Sequence, residues 1–242
     1  MTFQEEPYHI LVVDDSPMIL RVVTMALEEA DFKVTTASSG EEGLDLIQRF
    51  GLPHLALVDI NMPPGMDGFE FCQKVLEFSD LPIIMLTAIN HEETIIQAID
   101  QFAEDYITKP FNSGELVSRV RRVLRRIGDF GYTNDPVIKI DQRLSIDFPN
   151  RTAVVDGADV PLTPTEAKLL YILLRSAGRT VTTDFLMRRL WPMERVGEDR
   201  LRVNIHRVRK KIEANGGVPY VISERGIGYT FAVVPTAPHT SN

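Results

Sequence analysis

An α/β half followed by a smaller α+β half is the architecture this 242-residue sequence predicts. Three observations lead there. Between residues 8 and 127, five short apolar runs alternate with five amphipathic stretches, the pattern of a parallel sheet covered by helices on both faces. Residues 128–136 (GDFGYTNDP) lack any periodicity and read as a linker. After it, short β-patterned pieces precede three helical stretches and a final hairpin.

In the first half, His9–Val13 is an apolar strand that stops at Asp14 and Asp15. Ser16 as N-cap and Pro17 at the first helical position open a helix to about residue 30. A strand over 33–37 follows, and Ser39 with Glu42 fits a capping box for a helix through Phe50. The strand 54–58 ends in Asp59, a helix spans 68–78, and the strand 82–86 ends at Thr87. A helix over 91–102, a strand over 105–108, Lys109-Pro110 and a last helix from Asn112 and Glu115 to about 127 complete the pattern.

In the second half, strand-like pieces fall at 138–140, 144–147, 152–155 and 160–162, with Asp156-Gly157 as a tight-turn signal. Thr163-Pro164-Thr165-Glu166 caps a helix to about 176, which Gly178 ends. A second helix spans 183–190 and closes at Trp191-Pro192; a third spans about 199–215. Residues 219–231 (PYVISERGIGYTF) form two strand-like pieces around Arg225-Gly226-Ile227-Gly228. The expected domains are thus 1–127, a linker 128–136, 137–235 and a tail 236–242.

Charge separates the halves. Residues 1–127 hold 10 Lys+Arg against 21 Asp+Glu, and residues 128–242 hold 16 against 13, so an acidic module precedes a mildly basic one. The single cysteine, Cys72, cannot form an internal disulfide and sits in an apolar pattern that suggests a buried small hydrophobe. No run approaches the ~18 apolar residues of a membrane span, so a cytoplasmic protein without membrane contact is expected.

Four strand ends carry Asp14-Asp15, Asp59, Thr87 and Lys109, and open α/β sheets bind ligands beyond the carboxyl ends of their strands. Oxygen ligands in octahedral geometry suit Mg²⁺; Asp15 and Asp59 can supply carboxylates, with Asp14 acting nearby through water. Asp59 is also a candidate nucleophile for a phosphoryl group. Lys109 would neutralise the phosphoryl oxygens and the Thr87 hydroxyl would donate to one. An isolated acid after a strand is usually only a turn residue; the coincidence at four strand ends is what carries chemistry.

On ILVVDDSP, LALVDINMPPGMDGFE, PIIMLTA and AEDYITKPF, residues 8–127 resemble the receiver domain of two-component response regulators, a flavodoxin-like five-stranded sheet. The resemblance implies phosphorylation of Asp59 by a sensor histidine kinase, Mg²⁺ held by Asp15, Asp59 and the Asn61 main-chain carbonyl, and Tyr106 as the aromatic that turns inward with Thr87. The segment Pro63-Pro64-Gly65-Met66 is one residue longer than the usual pattern.

The third helix of the second half holds Arg200, Arg202, Arg207, Arg209, Lys210 and Lys211, with Leu201, Ile205, Val208 and Ile212 as an apolar stripe. Val203 falls on the charged side, where it suits a thymine methyl, as Arg suits guanine and Lys phosphate. A basic helix followed by a hairpin with a cation at its tip is the pattern of a winged helix-turn-helix. On LTPTEAKLLYILLRSAGRTVT, DRLRVNIHRVRKKI and ERGIGYTF, this half resembles the effector domain of the OmpR/PhoB family. The DNA-contact set expected is Arg200, Val203, Asn204, His206, Arg207, Arg209, Ser223 and Arg225; by position Val203 and Arg207 match base-edge contacts of the family, and His206, Arg209, Ser223 and Arg225 match contacts largely to backbone or wing. Asp199 stands where the family commonly has Arg, and Arg202 where it commonly has Asp. The loop from Trp191 to Glu198 corresponds to the one that meets RNA polymerase in activators of the family.

The resemblance further implies a phosphorylation-favoured homodimer on promoter direct repeats. Glu104, Asp105, Glu115, Arg119 and Arg126 match its cross-subunit ion pairs, and Ile96 and Ile99 could supply its apolar part. The expected function is a phosphorylation-dependent transcriptional regulator rather than an enzyme. The alternative is a constitutive DNA-binding regulator whose first half serves only dimerisation or docking; a Mg²⁺-dependent phosphatase would leave the basic half unexplained.

Overall fold

The computed structural model describes residues 7–88, 103–127, 137–192, 194, 196–213 and 219–232. They belong to two compact units. In the first, β1 (His9–Val13), β2 (Lys33–Ala37), β3 (Leu55–Asp59), β4 (Ile83–Ala88) and β5 (Asp105–Lys109) form one sheet in the order β2-β1-β3-β4-β5, every neighbouring pair parallel. Four helices are described: α1 (Pro17–Glu28), α2 (Gly40–Phe50), α3 (Gly68–Phe78) and α4 (Ser113–Ile127). The helix expected over 91–102 lies outside the described residues.

β1 and β3 are buried along their whole length, as strands covered on both faces must be, and this is why they read as unbroken apolar runs. Alternation then decides the partners. Ile10, Val12, Leu55, Leu57, Ile84 and Leu86 share a core with Val23 and Leu27 of α1 and Leu116 and Val120 of α4. The other face meets α2 and α3: a Cβ on Gly43 would stand 3.3 Å from Val13 and 2.9 Å from Phe71, and Cys72 Sγ lies 3.8 Å from Met85 Sδ. Cys72 is buried, and burial pushes its thiol up to about 12, so it acts as a core hydrophobe. Strand order reverses between β1 and β3, which puts a crevice at their carboxyl ends.

Two local expectations change. α1 stops at Glu28 rather than near 30, because the Ala30 and Asp31 amides turn back to the Leu27 and Glu28 carbonyls and Asp31 adopts a left-handed φ of 66°. The capping box of α2 is half formed. Ser39 Oγ accepts the Glu42 amide at 3.2 Å, but the Glu42 carboxylate accepts from the Ser38 amide and hydroxyl at 2.7 and 2.6 Å, not from Ser39.

In the second unit, β6 (Val137–Lys139), β7 (Leu144–Asp147), β8 (Thr152–Val155) and β9 (Ala158–Pro161) make an antiparallel meander. Asp156 and Gly157, with φ of 50° and 82°, form the two-residue turn between β8 and β9. That turn sets Ala158 opposite Val155, so β9 begins two residues before the expected 160–162. Then come α5 (Pro164–Arg175), β10 (Thr180–Thr182), α6 (Thr183–Leu190), α7 (Glu198–Ile212), β11 (Val221–Glu224) and β12 (Gly228–Phe231). The box on α5 is complete: Thr163 Oγ1 accepts the Glu166 amide and Glu166 Oε2 accepts the Thr163 amide.

β12 pairs with both β11 and β10. β10 was not anticipated. α7 ends at Ile212, not 215, because Glu213 takes the C-cap and turns its carboxylate to the Tyr220 and Val221 amides at 2.8 and 2.9 Å. The core gathers Leu169, Leu170 and Leu173 of α5, Leu186 and Leu190 of α6, and Leu201, Ile205, Val208 and Ile212 of α7, all buried. This is an α+β winged helix-turn-helix unit following a doubly wound α/β unit.

Candidate phosphoacceptor pocket and DNA-reading face

At the carboxyl ends of β1 and β3, carboxylate oxygens of Asp14, Asp15 and Asp59 lie within 4.8 Å of one another. Asp14 and Asp59 are buried and Asp15 is exposed. Lys109, the last residue of β5, reaches across the sheet edge: its Nζ lies 2.6 Å from Asp14 Oδ2 and 2.9 Å from Asp59 Oδ1. Asp14 Oδ1 also accepts the Ser16 amide at 2.9 Å, so the residue that opens α1 fixes the carboxylate beside it. Asp59 Oδ1 accepts the Ile60 amide at 3.0 Å. Burial holds the Asp59 carboxyl above its ordinary value; Lys109 works against that shift, and the Asp14 charge adds to it.

One ammonium therefore answers three carboxylates, leaving an excess of negative charge on hard oxygen donors. The donor set fits a divalent cation such as Mg²⁺, and the exposed Asp15 keeps the site open to solvent, as that ion's preference for water ligands requires. Thr87 is buried near the end of β4, where its hydroxyl donates to the Ala88 carbonyl at 3.5 Å. Tyr106 on β5 is 46% exposed, its ring lying on the surface. Asn61 is exposed two residues past Asp59. Gly68 is obligatory, since a Cβ there would stand 2.0 Å from the Asp59 carbonyl oxygen.

The long loop after β3 has a partner that sequence reasoning missed. Met66 is buried against Gly40, and its amide donates to Glu41 Oε1 at 2.8 Å, which holds the Glu41 carboxyl below its ordinary value. Gly65 has a φ of 117°, and a Cβ on it would stand 2.9 Å from the same carboxylate. The added residue is thus turned onto the first turn of α2. No local pattern signals a contact between residues 41 and 66.

The second candidate site is one face of α7. Leu201, Ile205, Val208 and Ile212 are buried as expected, and Asp199, Arg202, Val203, His206, Arg207 and Lys210 are exposed. Their spacing of three and four places them on one side of the helix. At the wing, Arg225 and Ile227 are exposed around Gly226, whose φ is 76°. A Cβ on Gly228 would stand 1.9 Å from the Val181 carbonyl oxygen, so the wing can lie against β10 only with glycine there.

Four expected DNA contacts are engaged within the chain. Asn204 is a correction: it is buried, and its amide donates to the Arg200 carbonyl at 2.8 Å, because position 204 falls between Leu201 and Val208 on the inner stripe. Arg200 pairs with Glu194, and its guanidinium lies 4.9 Å from the Trp191 ring centre, tying α7 to the preceding loop. Arg209 donates to the Val221 carbonyl and to Ser223 Oγ at 2.9 and 2.8 Å, bracing the wing and engaging Ser223. Lys211 donates to Glu166 and to the Pro161 carbonyl.

The expected dimer residues also bond within the chain. Asp105 is buried and accepts from Arg119 at 3.1 Å and from Arg122 at 2.5 Å, and Arg119 also meets Glu115 at 2.8 Å. Cross-subunit pairs from these groups require an exchange of partners. Glu104 is partly exposed. Ile96, Ile99 and the Arg126 side chain lie outside the described residues.

An acidic pocket on a parallel sheet, followed by a winged helix with an exposed basic face, defines a class: a two-component response regulator with a DNA-binding output. Residues 10–121 match the family model described as response regulator receiver domain, and residues 157–231 match that described as transcriptional regulatory protein, C terminal. The chain is 36% identical over 222 residues to the transcriptional regulatory protein AfsQ1 of Streptomyces coelicolor, covering 91% of this chain and 96% of that protein. It is 34% identical over 234 residues to ResD of Bacillus subtilis, covering 93% and 95%. Among solved structures, the response regulator DrrB of Thermotoga maritima, an OmpR/PhoB homologue, matches at 29% identity over 93% of this chain and 99% of that one, with a TM-score of 0.45. The chain belongs to the OmpR/PhoB family of response regulators. Such a regulator takes its signal from a histidine kinase and delivers it to DNA. Among the described residues, no helix is long and apolar enough to cross a membrane.

Proposed function

We propose that Asp59 is the phosphoacceptor of a cytoplasmic transcriptional regulator whose DNA binding depends on its phosphorylation. The observation that carries this reading is the convergence of Lys109 on both buried carboxylates, at 2.6 and 2.9 Å, at one sheet edge. An Asp59 oxygen attacks the phosphorus of a phosphohistidine; the O–P bond forms as the P–N bond breaks, and the imidazole leaves with the electron pair. Asp15, Asp59 and the Asn61 carbonyl would hold Mg²⁺, with Asp14 nearby, and the ion would supply neutralising charge to the phosphoryl oxygens. Lys109 exchanges an Asp59 oxygen for a phosphoryl oxygen, and the Thr87 hydroxyl turns from the Ala88 carbonyl to donate to another. Tyr106 follows Thr87 inward, which changes the β5 surface on which the receiver dimerises.

The dimer sets two winged helices on direct repeats about one helical turn apart. Val203, His206, Arg207 and Arg225 meet the DNA, and the loop from Trp191 to Glu198 is offered to RNA polymerase. The test is phosphorylation by a small-molecule phosphoryl donor with Mg²⁺, followed by intact-mass analysis and promoter footprinting. One phosphoryl group on wild type and none on Asp59→Ala is expected, with the footprint strengthened only in wild type. A footprint equally strong in both would instead support constitutive binding.

A further inference from the structure

We propose that Arg202 is a guanine-reading residue of this protein, held in place for that task by Glu198 and Asp199. The inference rests on the DNA-binding reading of α7 and deepens it by naming what one position reads. Arg202 was outside the expected contact set, whereas Arg200, two residues earlier, was in it. Both are exposed, but Arg200 is drawn onto Trp191 and Glu194, whereas Arg202 lies on the face that holds Val203, His206 and Arg207. Arg202 sits in the N-terminal third of α7, the part of a recognition helix that contacts base edges.

Its ion pairs decide between base and phosphate. Arg202 Nη2 donates to Glu198 Oε2 at 2.9 Å and Nη1 to Asp199 Oδ1 at 3.3 Å, while the side chain remains 63% exposed. Two carboxylates around one guanidinium give the group a net negative environment, which disfavours a phosphate and leaves a neutral partner acceptable. A guanidinium has five N–H donors, so three remain beyond these two bonds. The O6 and N7 acceptors of guanine match its fork, and the acids reduce the freedom the fork loses on binding. Lys210, for which no carboxylate partner is seen among the described residues, is a cation of this helix suited to phosphate. The two acids thus divide the basic face into a reading position and a holding position.

The experiment is selection of the full chain on a randomised duplex library, with sequencing, and titration of the best site at several salt concentrations. Arg202→Ala is expected to lose roughly 10- to 100-fold of guanine preference at one position per half-site, with little change in salt dependence. Asp199→Asn is expected to weaken the same preference and raise affinity for unrelated duplexes. Lys210→Ala provides the contrast, weakening all sequences alike and lowering the salt slope by about one. If Arg202→Ala behaves like Lys210→Ala, or leaves the sequence profile unchanged, the inference is overturned while DNA binding stands. If wild type shows no sequence preference at all, the DNA-reading role of α7 fails along with it. Trp191 fluorescence, from the only tryptophan, confirms that each variant is folded.

Discussion

Glu166 shows how one residue can do two jobs in this chain. It completes the α5 capping box and, at 1% exposure, accepts Lys211 at 2.6 Å, which joins the start of α5 to the end of α7. Burial pushes the Glu166 carboxyl up, but Lys211 and the Thr163 amide outweigh it and leave it below its ordinary value of 4.5. A depressed carboxyl contributes stability that is present above the unfolded value and is lost as pH falls through the folded one. Glu166→Ala removes the cap and leaves Lys211 without its carboxylate, for an expected loss of about 2–4 kcal/mol. Glu166→Gln keeps an acceptor for the Thr163 amide and should lose less, with less acid sensitivity than wild type below pH ~4.5. Urea titration followed by Trp191 fluorescence reads the second unit alone; equal acid sensitivity in wild type and Glu166→Gln would refute the assignment.

At the scale of elements, the wing depends on a strand that local sequence did not reveal. β10 is three residues, Thr180–Thr182, between two helices, and it is a strand only because Val181 and Thr182 pair with Tyr229 and Gly228. Periodicity cannot register so short a piece, and its partner lies nearly fifty residues on. By contrast, β1 and β3 were legible because burial on both faces demands continuous apolar runs, and α5 because its capping box is complete. Asn204 was also legible in principle: three residues after Leu201 and four before Val208, it stands on the inner stripe. The Glu41–Met66 bond was not, since it joins a helix start to a loop through a main-chain amide. Gly228→Ala tests the β10 dependence. The added Cβ meets the Val181 carbonyl, so β12 must shift at a cost of about 1–3 kcal/mol or more. Faster hydrogen exchange at β10 and β12 with weaker DNA binding is expected, while α5 exchange stays slow; unchanged exchange at β10 would show that the wing does not need that pairing.

For the whole molecule, the acidic pocket and the reading face are chemically separate, and in the proposed mechanism what joins them is association. A receiver carrying 21 acids to 10 bases has no electrostatic reason to approach DNA, whereas the second half carries 16 bases to 13 acids. Phosphorylation can therefore raise affinity by making two winged helices bind as one, the second contact becoming intramolecular. Such linkage acts only where two half-sites are present. On a duplex with two correctly spaced repeats, a phosphoryl analogue with Mg²⁺ should tighten full-chain binding by up to about 100-fold. On a single half-site it should change affinity little, and Asp59→Ala should show no gain on either duplex. Arg119→Ala removes a cation matched to the cross-subunit ion pairs, leaves Asp105 on Arg122 alone, and should reduce the gain on the double site without altering the single-site affinity. Fluorescence anisotropy on the two duplexes distinguishes the mechanisms: an equal gain on both would mean that phosphorylation acts on the reading face itself, with dimerisation a bystander.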